Sequence, residues 1–176
     1  MQFFFQILAV VAVATRANAA LRNGVVLSET FGGPHGDQYS DLDNVAPGQK
    51  VTSLTLHSAD RVDGVGLTGT SADGASFDFI HGGDNGDKNT LTLGAGEYIT
   101  CMEAHWEEQH SHTRIFYLNF TTNNGNTISG GTKTSHSGND CAPQGYQLGG
   151  FFGYAGQELD SIGAIWTSLY PMDDDE

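Results

Sequence analysis

The chain has 176 residues, among them 24 Gly and only 4 Pro, and 16% of its residues are charged. That length suffices for one domain with its own core, and the many glycines point to tight turns rather than to disorder. Lys and Arg number 7 against 21 Asp and Glu, a formal charge of −14, which repels phosphate backbones and anionic headgroups and so excludes nucleic acid and membrane surfaces as partners.

Met1 to Ala14 is a short apolar run, followed by Thr15-Arg16 and then by Ala17-Asn18-Ala19. The run is shorter than the ~20 apolar residues of a spanning helix, and Ala-Asn-Ala is a small-x-small cleavage signature. Residues 1–19 read as a secretory signal peptide whose n-region carries only the α-amino charge. The mature chain is then expected to be secreted and extracellular, without membrane insertion. Export permits a disulfide between Cys101 and Cys141; the other reading is two buried free thiols. Asn119-Phe120-Thr121 is a glycosylation sequon, usable where it is exposed in a eukaryotic secretory route.

Leu21 to Thr30 is a modest strand-like lead ending at Phe31, and Gly32 to Asp41 reads as a glycine-rich loop. Val51 to His57, Arg61 to Leu67 and Ser76 to Ile80 alternate apolar and polar residues, as half-buried strands do. His81 to Lys88 is a loop; Thr90 to Leu93 and Gly94 to Met102 follow it. Ile115 to Thr121 is a β run with aromatics on alternate faces, and Asn123-Asn-Gly-Asn126 is the strongest hairpin signal in the chain. Gln147 to Phe152 and Leu159 to Trp166 are the last strands, and residues 171–176 form an acidic tail. About ten short strands with glycine turns, and no capped helical period, predict an all-β sandwich, barrel or prism.

Four motifs bear on chemistry. Gly64-Val-Gly-Leu-Thr-Gly69 matches a dinucleotide fingerprint by letter, but a turn and not a helix follows it, so nothing holds a pyrophosphate. His105-Trp-Glu-Glu-Gln-His-Ser-His112 is the one metal-like cluster; it departs from H-E-x-x-H and reads better as a polar, exposed loop carrying one aromatic. Asp84-Asn-Gly-Asp87 lacks the spacing of an EF-hand loop. No nucleophile elbow is present, so no enzyme, cofactor or metal is expected. Near the C-terminus, Gly153 to Gly156 reads as a tight turn that lets the N–H groups of Gln157 and Glu158 converge with the Asp160 carboxylate. Such a set of donors and one charged acceptor suits a neutral polyhydroxyl ligand. By itself, the Gly-x-x-x-Asp spacing is also ordinary turn chemistry.

Taken together, Phe31-Gly-Gly-Pro-His-Gly-Asp-Gln-Tyr-Ser-Asp41, Gly94-Ala-Gly-Glu-Tyr-Ile99 and Gly156-Gln-Glu-Leu-Asp-Ser-Ile-Gly163 resemble the jacalin-related lectins, in the right order from about Leu27 to Leu169. The resemblance implies a lectin domain over residues 20–170 with the β-prism I fold, three four-stranded Greek-key sheets around a pseudo-threefold axis. It implies that Cys101 and Cys141 lie on neighbouring first and fourth strands of one Greek key. It puts sugar contacts on the backbone N–H of Gly36, Gln157 and Glu158 and on the Asp160 carboxylate. It makes His105, Trp106, His110 and His112 part of a specificity loop, with Trp106 either stacking on a sugar or packing in the core. His35 departs from the family, where a glycine is usual; it narrows the pocket or adds a pH-sensitive donor.

In this family galactose preference accompanies chain cleavage just before the contacting glycine. No processing signal precedes Gly36, so the resemblance favours mannose- or glucose-containing glycans and glycoproteins, with avidity from homo-oligomers or clustered glycans. Two other readings stand beside it. One is a secreted protein-interaction module on a β-prism that has lost sugar binding. The other is a metal-dependent hydrolase using His105, His110 and His112.

Overall fold

The computed structural model describes residues 21–172. The signal peptide assigned to residues 1–19 and the acidic Asp173–Glu176 end lie outside the described residues. Among the described residues the chain forms strands only: β1 Val25–Leu27, β2 Phe31–Gly32, β3 Asp37–Ser40, β4 Lys50–Ser58, β5 Val62–Thr70, β6 Ser76–Gly82, β7 Asp87–Thr92, β8 Ile99–Gln109, β9 His112–Thr122, β10 Thr127–Gly131, β11 His136–Cys141, β12 Tyr146–Ala155 and β13 Leu159–Ser168.

They assemble into three antiparallel sheets. Two have the orders β6-β5-β4-β7 and β10-β9-β8-β11, in which the fourth strand of each run returns beside the first, as a Greek key requires. The remaining sheet runs β1-β13-β12-β3, with β2 also paired to β13. β1 and β2 are one interrupted strand, because β1 pairs with Ile165 to Thr167 and β2 with Ser161 and Ile162. The Ser28 hydroxyl spans the break by accepting from the Ala164 N–H at 2.7 Å. Read circularly from β12, this sheet repeats the strand order of the other two. The β-prism expected from the resemblance is the observed fold.

Inward residues fill the space between the sheets. Leu54, Leu56, Leu67, Met102, Leu118, Phe120, Leu148, Phe151 and Ile162 are fully buried, and Phe120 meets Phe151 edge-on at 5.9 Å between centroids. Trp166 on β13 is buried with its indole N–H donating to Asp140 Oδ1 on β11 at 2.6 Å. One side chain thereby joins two sheets and keeps its polar atom satisfied.

Three expectations need correction. Gly153 does not open a turn: β12 runs through it to Ala155, and the turn is Gly156 to Glu158. The second half of the Gly32–Asp41 loop is the paired strand β3. β10 and β11 were not legible, because Thr-Ile-Ser-Gly-Gly and His-Ser-Gly-Asn-Asp-Cys are polar edge strands with little to bury. The Asn123–Asn126 turn joins β9 to β10 as expected, and Gly64 to Gly69 lie inside strand β5 with no helix following.

Cys101 and Cys141 are directly opposite in the β8·β11 ladder and form a disulfide across 40 residues of sequence. By loop-closure entropy a cross-link of that span contributes about 4 kcal/mol. Replacing both cysteines by serine is therefore expected to lower the unfolding free energy by about that amount, read as an earlier urea midpoint with an m-value that rises as the freed unfolded chain exposes more surface. An unchanged midpoint would contradict it.

Candidate functional site

The pocket forms where the first and last strands meet. The Gly33 N–H donates to the Asp160 carbonyl at 2.9 Å, and this pins the loop after β2 to the start of β13. Three residues on, Gly36 has φ 71°, a left-handed conformation that L side chains rarely adopt. A Cβ at Gly36 would stand 2.6 Å from both the Ala155 carbonyl oxygen and Asp160 Oδ2. Glycine is thus required twice there, by its dihedral and by the nearness of the carboxylate.

Opposite lies the turn between β12 and β13. Its backbone hydrogen bond runs from the Gly156 N–H to the Glu158 carbonyl at 3.0 Å, leaving the Gln157 and Glu158 N–H groups for other acceptors. His35, Gly36, Gly156, Gln157, Glu158 and Asp160 line one depression of about 290 Å³, with His112 and Arg114 on its remaining side. Gly36, Gln157, Glu158 and Asp160, singled out in the sequence as one contact set, are brought together. Gly156 has no steric need for glycine, since a Cβ there meets nothing within 4 Å. Its bareness opens the pocket rather than permitting the turn.

The sequence did not disclose the charges beneath this pocket. Arg114 on β9 donates from Nη1 to Asp160 Oδ1 and from Nε to Glu158 Oε2, the latter at 3.0 Å. Arg61, from the β4–β5 loop, donates to both oxygens of Glu158. Cation and anion therefore alternate from Arg61 through Glu158 and Arg114 to Asp160. No local motif announces this, because Arg61 lies 97 residues from Glu158 and Arg114 lies 46 from Asp160.

Burial and charge act differently on the two carboxylates. Glu158 is pushed up by burial, but the hydrogen bonds and charges of Arg61 and Arg114 outweigh this and hold it below the usual range. Asp160, only 3% exposed, is raised by burial despite the Arg114 guanidinium beside it. The charged forms of His35 and His112 pull it down, and Glu158 pushes it up. With Oδ1 taken by Arg114, Oδ2 is the oxygen turned toward Gly36.

The proposed specificity loop is a hairpin, and its four residues separate. His110 and Ser111, with φ of 51° and 63°, make a two-residue turn between β8 and β9, the geometry such tight hairpins need. His110 is exposed at the tip. His105 is buried, bonded to the Thr134 carbonyl at 2.8 Å and to Glu103 at 2.9 Å. A bulge between His105 and Trp106 breaks the strand's alternation, so spacing alone could not assign their faces. Trp106 stacks on Phe31 at 5.6 Å and packs against the core. Only His112 reaches the pocket, its ring edge-on to His35 at 4.8 Å. The three histidines offered for a metal centre thus point to three different surroundings.

The family model of the jacalin-like lectin domain matches residues 28–165. A secreted RxLR effector protein of Plasmopara viticola is 33% identical over 166 residues, covering 87% of this chain and 91% of that one. A mannose/glucose-specific lectin of Parkia platycephala is 28% identical over 138 residues, 76% of this chain, which spans 30% of that lectin's length. Among solved structures, the wild-type Malaysian banana lectin superposes with a TM-score of 0.72 at 26% identity, over 82% of this chain and 99% of that one.

Because burial raises the Asp160 pKa and Arg114 lowers it, Arg114→Gln is expected to raise the Asp160 titration further. Carboxyl-carbon NMR titration of the two proteins reads this directly. Coincident curves would mean that the guanidinium does not hold Asp160.

Proposed function

This chain belongs to the jacalin-like lectin family, and we propose that it is a secreted lectin that binds mannose- or glucose-type glycans without catalysis. The observation that carries this reading is the convergence of Gly36, the Gln157–Glu158 turn and Asp160 on one depression. Three backbone donors face one ionised acceptor there. A neutral sugar presents hydroxyls that both donate and accept, so two adjacent hydroxyls satisfy the amides and Asp160 Oδ2 together. Arg114, by occupying Oδ1, orients the carboxylate and keeps it ionised; it is a positioning residue. His35 and His112 rim the same depression.

Such contacts replace hydrogen bonds to water. A monosaccharide is therefore expected to bind at about the millimolar level, near −4 kcal/mol, with avidity supplied by clustered glycans or a homo-oligomer. The mannose/glucose specificity named for the Parkia relative supports the sugar class. The Ala17-Asn18-Ala19 signature and the relative named as secreted support export. On this reading residues 1–19 are removed, 20–170 are the lectin domain, and 171–176 are an acidic C-terminal tail. Asn119 lies between buried Leu118 and Phe120, which turns it to the outer face of its sheet, where it is half-buried; its use as a glycan acceptor is part of this reading.

A second reading has its own observation. Arg114 already engages one oxygen of Asp160, and a chain that has abandoned sugars for protein partners would have no use for a free carboxylate. Calorimetric titration of the mature chain with methyl α-mannoside in EDTA separates the two. Heat that disappears in Asp160→Ala is expected of the lectin; absence of heat at millimolar protein turns the choice to the interaction module.

Asp160 must be ionised to accept hydroxyls, and burial raises its pKa. Affinity is accordingly expected to be full at neutral pH and to fall as the pH drops, starting above the ~3.9 of a free aspartate. Binding that stays flat down to that value would remove Asp160 from the mechanism.

A further inference from the structure

Two further depressions follow the pocket in succession, each sharing lining residues with the one before it. One, of about 340 Å³, lies in the seam between β3 and β6 and shares Gly156 with the pocket; Gln38, Tyr39 and His81 also line it. The next, of about 310 Å³, lies on the outer face of the β6-β5-β4-β7 sheet and shares Ile80 and Gly82 with the seam. At the crossing the backbones touch: a Cβ on Gly83 would run into the Gln157 carbonyl oxygen.

The floor of the outer depression is Gly66, whose strand neighbours are Thr55 on β4 and Ile80 on β6. Glycine in a strand interior costs about 0.5–1 kcal/mol relative to alanine and often marks a close approach by a ligand or another backbone. Elsewhere in the described strands a Cβ on glycine would come within 3 Å of a neighbouring atom. A Cβ on Gly64 would clash with the Gly83 carbonyl, on Gly69 with that of Lys50, on Gly82 with that of Asp63. Gly66 alone is the exception: its φ is ordinary, and a Cβ there would meet nothing nearer than 3.5 Å. Neither backbone nor packing explains it. An object lying over the strand does.

Chemistry names the object. Ile80 is 68% exposed beside Gly66, an aliphatic strip in the middle of a polar surface. Asp78, Asp84 and Lys88 stand around it, with the hydroxyls of Thr55 and Thr68 and the imidazole of His57, whose Nδ1 is buried without a partner. A pyranose has the matching division, with C–H faces for the aliphatic strip and hydroxyl edges for the polar groups. The formal charge of −14 disfavours an anionic occupant.

We propose that the pocket is the first subsite of a continuous groove, running through the β3–β6 seam onto the outer face over Gly66, that binds a neutral oligosaccharide of several residues. This rests on the sugar-binding reading of the Gly36–Asp160 pocket and extends it from a monosaccharide to an extended chain. Each subsite adds contacts to a ligand already held, so affinity grows with chain length without an oligomer.

The test is calorimetry with methyl α-mannoside and α-linked mannopentaose on the wild type, Gly66→Val, Ile80→Asp and Asp160→Ala. Valine is a good strand former whose Cβ fits at Gly66 and whose branches fill the floor; Ile80→Asp removes the apolar strip at an exposed position and stands in should Gly66→Val fold poorly. The pentaose is expected to bind wild type about tenfold more tightly than the monosaccharide. Either groove substitution should abolish that preference while leaving monosaccharide affinity and melting temperature unchanged, and Asp160→Ala should remove monosaccharide binding. Equal affinities for the two sugars in the wild type, or a preference untouched by both groove variants, would overturn the groove and leave the pocket standing. Pentaose binding that depends on Gly66 without any monosaccharide heat would support the groove and count against the pocket as an independent site. Silence from both sugars would overturn both readings.

Discussion

The pairing of β13 with the interrupted strand β1–β2 is the constraint on which the rest of this molecule depends. It joins residues 131 and 142 positions apart in the chain, Phe31 to Ile162 and Val25 to Thr167, and only with it does the third sheet acquire the strand order of the other two. Contacts of that separation are costly in chain entropy and are repaid only when the whole inner face is buried at once. The core answers with a fully buried β13, Leu159 to Ser168, every residue of which is enclosed. The pocket is a by-product of this closure. Gly33 holds the Asp160 carbonyl, and Gly36 then has nowhere to go but over the Asp160 carboxylate.

Electrostatics beneath the pocket follow from burying a carboxylate in that seam. An ionised group removed from water needs partners or it takes up a proton. Here the partners come from the other two sheets, Arg114 from the β9 side and Arg61 from the loop before β5, and Glu158 is the shared anion between them. The alternation ties the β12–β13 turn to both neighbouring sheets, so the turn is held by side-chain charges as well as by its own backbone. Glu158 gains more from these cations than burial takes away, whereas Asp160 does not. The difference tracks exposure: Asp160 has a side chain 4% exposed and Glu158 one 25% exposed.

Glycine plays three separate parts in this fold, and they are told apart by what a Cβ would meet. At Gly36 both the dihedral and the crowding demand it. At Gly64 and Gly69 an opposing carbonyl would be struck, so sheet packing is the cause. At Gly66 and Gly156 there is room, and the missing side chain opens a surface instead. A composition of 24 Gly, read only as a sign of tight turns, merges these parts.

Alternation and turn chemistry sufficed to make the chain all-β, because a period of two and an Asn-Gly turn are local properties of a few residues. Strands β4, β5, β6, β9, β12 and β13 were legible on those grounds, while β10 and β11, with little apolar surface, were not. Ordered signature stretches carried the fold family and pointed to the set Gly36, Gln157, Glu158 and Asp160, since each stretch is contiguous in the chain. Tertiary structure alone decided the rest. Nothing local reveals that Arg114 reaches Asp160 or that Arg61 reaches Glu158, because those distances exist only once three sheets have closed on one core. The histidines make the same point from the other side: His105, His110 and His112 lie within eight residues, yet a bulge and a two-residue turn send them to a buried hydrogen-bond pair, a hairpin tip and the pocket rim. Sequence proximity is a property of the chain, whereas a site is a property of the surface that the closed chain presents.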